Sequence, residues 1–361
     1  MTKKIQNSCF LFIFIAVFMT FTSVITGFYY ADAETNYDSS EIVMDVTSNR
    51  VLFSKNADEK RFMASTTKIL TAIVIIDSCD INDQVVVSEK TVGVEGSSIY
   101  LEKGEVLSVK DLLYGLMLRS GNDCAETLAI YKCGSIEKFA GLMNKKAQEI
   151  GAKNSHFVNP HGLHDDNHYT TAYDLALISC YAMNNPVFKE IVSTKKTVIP
   201  FTTRNTNRVL INKNKMLWEF DGATGVKTGF TKKAGRCLVS SCNRNGLELV
   251  SVVLNCPPMF ERSKEILNDA FNKYSPYKLV ESDNIVDFIE IKDSIAKCPI
   301  YVKNDVILPL SEFELNNIEI KYEIPTVLSK PVIKDEEVGK IKFYVKNNLI
   351  YTEKLYTMID I

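Results

Sequence analysis

Eight successive residues, Ile69-Leu70-Thr71-Ala72-Ile73-Val74-Ile75-Ile76, carry no charge and a single hydroxyl before the chain reaches Asp77 and Ser78. A run of that length, apolar on every side, predicts a helix buried in a protein interior. Directly in front of it stands Ser65-Thr66-Thr67-Lys68. If the helix includes these residues, Ser65 and Lys68 share a face and Ser65 falls in the first turn, at the positive end of the dipole. The Ser-x-x-Lys spacing by itself is weak, because it recurs at Ser135/Lys138, Ser193/Lys196, Ser275/Lys278 and Ser294/Lys297. Only the first opens an apolar run.

Two later segments strengthen that choice: Ser120-Gly121-Asn122 and Lys227-Thr228-Gly229, the latter occurring once. A serine hydroxyl is a weak nucleophile and needs a nearby base. Lys68 can be that base only when neutral, and both burial and a second cation such as Lys227 would push its proton off. Ser120 can relay a proton to a leaving amine, and the Asn122 amide can bond a substrate backbone or Lys68. Lys227 with the Thr228 hydroxyl suits a terminal carboxylate, while Gly229 lets a substrate backbone come close.

The 361 residues, 46% apolar and 24% charged, are enough for two folded domains. The N-terminus reads as an export leader: Lys3 and Lys4, then an uncharged stretch from Ile5 to Ala31, then Ala31-Asp32-Ala33 as a small-x-small cleavage pattern. Residues 1–33 are thus expected to be a signal peptide, with an uncleaved membrane anchor as the alternative. The destination is the outer face of the cytoplasmic membrane, the wall or the medium. Of nine cysteines, eight follow the leader and none forms a CxxC pair, so they read as buried free thiols. Between Lys195 and Arg236, ten basic residues face two acidic ones, a balance of +8. Such a segment is either a solvated basic face or attracts an anionic ligand. Nucleic acid is excluded as a partner by the export signal, a pI near 6.2 and the lack of any interleaved aromatic and basic motif.

The turn Val46-Thr47-Ser48-Asn49 separates two short strands. Ser108-Val109-Lys110-Asp111 has the form of a capping box and opens a helix that ends at Ser120-Gly121-Asn122, where another helix begins. Asn245-Gly246 predicts a hairpin between the strands 237–242 and 247–254, with Lys227 on a neighbouring strand. A helix over 260–271 closes the first domain, 34–278. Alternation at 318–324 and 340–345 predicts a β-domain over 283–361.

These motifs, with Asn159-Pro160-His161-Gly162-Leu163 and Gly225-Val226-Lys227-Thr228-Gly229-Phe230-Thr231, resemble those of the penicillin-binding D-alanyl-D-alanine carboxypeptidases. The resemblance covers residues 40 to 256 and extends to a C-terminal tail around Pro331-Val332-Ile333. It implies an α+β fold: a β-lactamase/transpeptidase-like domain, an antiparallel sheet with a helical subdomain, followed by a small all-β domain. It implies that Ser65 attacks the carbonyl between the two terminal D-alanines of a peptidoglycan stem pentapeptide, with Lys68 and Ser120 as its catalytic partners. Asn122, Lys227, Thr228, Gly229 and Phe230 would bind substrate, the N–H groups of Ser65 and Phe230 forming the oxyanion hole. β-Lactam antibiotics would acylate Ser65. No metal or other cofactor is implied. Met63 and Cys124 depart from the family's usual proline and alanine, and the amphipathic C-terminal anchor helix of many members is missing, so any tether would be N-terminal.

Other readings remain. His156, His161, His164 and His168 fall within thirteen residues and would suit zinc. A class A β-lactamase would need a deacylating glutamate and usually Ser-Asp-Asn. Endopeptidase or transpeptidase action on crosslinks uses the same motifs, and a non-catalytic protein that binds cell-wall peptide is the non-enzymatic alternative.

Overall fold

A computed structural model describes residues 38–361, so the leader read at 1–33 lies outside the described residues. Strands Ser40–Asp45 (β1) and Val51–Lys55 (β2) pair antiparallel. A single 3₁₀ turn, Ala64–Thr67, then leads into helix Lys68–Ser78 (α1). The nucleophile candidate Ser65 therefore sits in the turn before α1, one step earlier than the expected first helical turn. The Thr66 and Thr67 hydroxyls donate to the Met63 and Ala64 carbonyls, which tightens this entry. Every residue of α1 from Lys68 to Ile75 is buried, as its apolar run demands.

The ribbon Gln84–Val86 (β3) and Val106–Ser108 (β4) precedes the helices Val109–Leu118 (α2), Asn122–Cys133 (α3), Ile136–Ile150 (α4), Ala172–Met183 (α5) and Pro186–Ser193 (α6). The Ser108/Asp111 capping box that opens α2 is present. The hairpin Lys196–Phe201 (β5) and Thr206–Ile211 (β6) and the short helix Met216–Glu219 (α7) lead to Ala223–Thr231 (β7), Gly235–Arg244 (β8) and Leu247–Leu254 (β9). Asn245 and Gly246 both have positive φ, 52° and 83°, as a two-residue hairpin turn between β8 and β9 requires.

These strands form one antiparallel sheet in the order β2-β1-β9-β8-β7. On one face α1 and the helices around it bury a large aliphatic core. On the other, Ile266, Leu267 and Ala270 of helix Met259–Lys273 (α8) cover Leu238, Leu249 and Val253. The sheet thus has helices on both faces and β7 at one edge.

The remainder is β-rich. Ser275–Val280 (β10) pairs with Val306–Leu310 (β13), and a six-stranded sheet contains Ile285–Ile291 (β11), Lys297–Tyr301 (β12), Ile318–Glu323 (β14), Val327–Leu328 (β15), Glu337–Val345 (β16) and Asn348–Thr357 (β17). Its core centres on Ile289, Ile300, Leu308, Phe343 and Leu355. Its single helical turn, Glu312–Leu315 (α9), receives Arg50 from the β1–β2 connection, whose guanidinium bonds Glu314 and the Pro309 carbonyl.

Candidate active site

The head of α1, the α2–α3 connection and the edge strand β7 converge on Lys68. Its ammonium nitrogen is wholly buried, 3.1 Å from Ser65 Oγ, 2.7 Å from Asn122 Oδ1 and 2.6 Å from the His161 carbonyl. Burial holds the Lys68 pKa well below its ordinary value, and the Lys227 charge adds to that depression. Asn122 is fixed from its other end, since Nδ2 donates to the Glu95 carbonyl at 2.6 Å. Ser120 occupies the α2–α3 connection with φ of 64° and is nearly buried.

Lys227, Thr228 and Gly229 lie on β7 as the hairpin signal suggested. Lys227 is buried, donates to the Thr228 carbonyl at 2.9 Å and has its pKa pushed down to about 7, by burial and then by Lys213. Thr228 is partly exposed, whereas the Phe230 side chain is exposed and its backbone follows Gly229 on the strand. Gly229 backs onto the nucleophile's turn: a Cβ there would stand 3.1 Å from the Ser65 nitrogen. The far edge of β7 pairs with no strand among the described residues. The cleft therefore combines an unpaired strand edge, a buried lysine beside a serine hydroxyl and a lysine-rich end, a suitable surface for an extended chain with a terminal carboxylate.

Residues 30–257 match the family model described as D-alanyl-D-alanine carboxypeptidase, and residues 274–361 match that of the penicillin-binding protein 5 C-terminal domain. The chain belongs to the D-alanyl-D-alanine carboxypeptidase family. D-alanyl-D-alanine carboxypeptidase DacF of Bacillus subtilis is 31% identical over 84% of this chain and 80% of its own. The structure of penicillin-binding protein 5 from Haemophilus influenzae superposes with a TM-score of 0.78 at 27% identity, covering 89% of this chain and 96% of that one. The structure of a mutant of the Streptomyces K15 DD-transpeptidase gives a TM-score of 0.62 at 31% identity over 64% of this chain and 97% of that one. The mixed fold and the all-β C-terminal domain expected from the sequence are those of penicillin-binding protein 5.

Within this carboxypeptidase fold, several residues outside the three motif triplets support the site. Lys213, counted only as part of the basic segment, is exposed, lies 3.3 Å from Ser97 Oγ, and acts electrostatically on both Lys68 and Lys227. Asp123 is buried behind Asn122, where its carboxylate accepts from Ser98 Oγ at 2.6 Å and from the Leu101 amide at 3.1 Å. It thereby pins residues 95–101, the loop whose Glu95 carbonyl fixes Asn122. From the other side Arg208 bonds Glu105 and the Tyr100 carbonyl. Contacts between segments so distant in the chain leave no local pattern to read.

The four histidines all have protein partners. His168 accepts the Val158 amide at Nδ1, which leaves the proton on Nε2 to donate to Thr67 Oγ1 at 2.8 Å. His161 accepts the Leu163 amide and faces Glu126 at 3.3 Å. His156 meets the Asn167 carbonyl and His164 faces Asp166. No group of three or more metal-ligating side chains is assembled among the described residues. The eight cysteines after the leader are free thiols, six of them buried.

Proposed function

We propose that this protein is a serine-type D-Ala-D-Ala carboxypeptidase that removes the terminal D-alanine from peptidoglycan stem pentapeptides. The observation that carries the reading is the 3.1 Å contact between Lys68 Nζ and Ser65 Oγ, with the lysine held toward its neutral form. Neutral Lys68 takes the Ser65 proton as Oγ bonds the scissile carbonyl. The N–H groups of Ser65 and Phe230 hold the developing oxyanion, since β7 and the Ala64–Thr67 turn meet at Gly229. Ser120 relays the proton to the departing D-alanine amine, and water then hydrolyses the acyl-enzyme.

The substrate carboxylate sits among Lys227, the Thr228 hydroxyl and Lys213. An anion there stabilises the Lys227 ammonium, so substrate binding is coupled to that lysine's protonation. Asn122 holds Lys68 through Oδ1 and steadies the cleft wall through Nδ2. Penicillin acylates Ser65 through the same contacts.

The protein works outside the cytoplasm. Residues 1–33 serve as the export signal, cleaved or retained as an N-terminal tether. A catalytic region over 34–278 precedes a β-domain over 283–361, with β10 linking the two through its pairing with β13. The likeness to a DD-transpeptidase favours crosslink chemistry as the second reading, in which an amine replaces water as acyl acceptor.

Incubation with a pentapeptide ending in D-Ala-D-Ala should release free D-alanine, and Ser65→Ala should abolish it. A folded wild-type protein that releases none would refute the proposal.

A further inference from the structure

Between the β7–β8 turn, the loop over 161–169 and the segment Lys60–Phe62 lies an open cavity of about 440 Å³, lined by Lys60, Phe62, Asp166, Tyr169, Lys233 and Asn255 among others. The same three elements build the catalytic centre: β7 carries Lys227, the His161 carbonyl holds Lys68, and Phe62 runs into the turn that bears Ser65. The cavity is therefore bordered by the segments that also build the active site.

Its lining carries three basic side chains, Lys60, Arg61 and Lys233, against one acidic one, Asp166. Arg61 is neutralised by Asp38 and Glu59, and Asp166 faces His164 at 3.3 Å. Lys60 and Lys233 are exposed, and neither has an acidic partner among the described residues. Lys60 Nζ sits 4.3 Å from the centre of the Tyr169 ring, which steadies its ammonium at the cavity wall.

Direction along β7 links this cavity to the substrate. With the terminal carboxylate at Lys227 and Thr228 and the scissile carbonyl at the Phe230 amide, the acyl portion of a chain on the free edge runs on toward Thr231 and the Lys232-Lys233 turn. At about 3.3 Å per extended residue, that path reaches Lys233 about two or three residues upstream of the scissile bond.

We propose that this cavity is an anion subsite that takes a carboxylate on the upstream part of the substrate peptide. The inference rests on the carboxypeptidase reading, because that reading sets the direction of the bound chain. Its two lysines are solvated, so the preference is modest and falls with salt.

The test compares acetyl-X-Nε-acetyl-Lys-D-Ala-D-Ala peptides with X as glutamate or glutamine. Wild-type kcat/KM should favour the glutamate peptide by about fivefold at low salt, the scale of an exposed ion pair. The Lys60→Gln, Lys233→Gln double variant should handle both peptides equally, with its rate on the glutamine peptide unchanged. Equal wild-type rates on the two peptides, or a glutamate preference that survives in the double variant, would overturn the subsite alone. No D-alanine release from either peptide by the wild-type protein would remove the carboxypeptidase reading and the subsite with it.

Discussion

A methyl group added to Gly229 would stand 3.1 Å from the Ser65 amide nitrogen and 3.0 Å from the Met63 carbonyl oxygen. Both are backbone atoms of the nucleophile's turn, so neither can swing aside. Gly229→Ala should displace Ser65 by a few tenths of an ångström and slow acylation by a fluorescent penicillin about tenfold or more. Melting temperature should fall by only a few degrees. Acylation within about twofold of wild type would show that the turn yields without loss.

Lys227 imposes a pH limit. Its pKa of about 7 in the free protein means that its ammonium is lost as pH rises through that value, while burial holds the Lys68 pKa well below its ordinary value. Measured on a carboxylate substrate, kcat/KM should therefore decline above about pH 7, whereas kcat should persist to higher pH because the bound carboxylate retains the Lys227 proton. A kcat/KM that is level up to about pH 9 would show that Lys227 keeps its charge unaided.

His168 ties the 161–169 loop to the Ser65 turn through Thr67. Burial pushes its pKa down from 6.5 to about 3. With the folded value the lower one, the unfolded chain binds the proton first on acidification, so stability rises with pH between those values and is lost as pH falls. Thermal melts from about pH 7 to pH 4 should show this slope, and His168→Gln should flatten it. An unchanged slope in the variant would place the acid sensitivity elsewhere.

Asp123 touches no reacting atom, yet it holds the loop on which Asn122 depends. Asp123→Ala leaves those buried amides unpaired and should cost about 2 kcal/mol of stability. At a temperature where the variant is folded, acylation should still be slowed about tenfold. Hydrogen exchange should accelerate at residues 95–101. Normal acylation with a loosened loop would separate the loop from catalysis.

The strongly patterned parts of this fold were legible from residues alone. Ile69–Ile76 required burial, Ser108 and Asp111 capped α2, and Asn245-Gly246 set the β8–β9 hairpin and so the strand beside it that carries Lys227. The meeting of Ser65, Lys68 and Asn122 was implied by the resemblance to the carboxypeptidase motifs. The entry to α1 did not: Ala64, at φ 49°, begins a 3₁₀ turn shaped by threonine hydroxyls and by Gly229 pressing from another element. Lys213, Asp123 and Arg208 act across long sequence separations, where neither periodicity nor spacing carries information.

The unpaired edge of β7 has a further consequence. A strand end open to a guest peptide is equally open to the edge of another protein molecule, which is how sheets join into aggregates. Lys232 and Lys233 lie at one end of that edge, and like charges brought together there would repel a second copy. A covalently bound antibiotic would block the edge as well as the serine. Filling the cleft would therefore also cap this strand edge against a second copy.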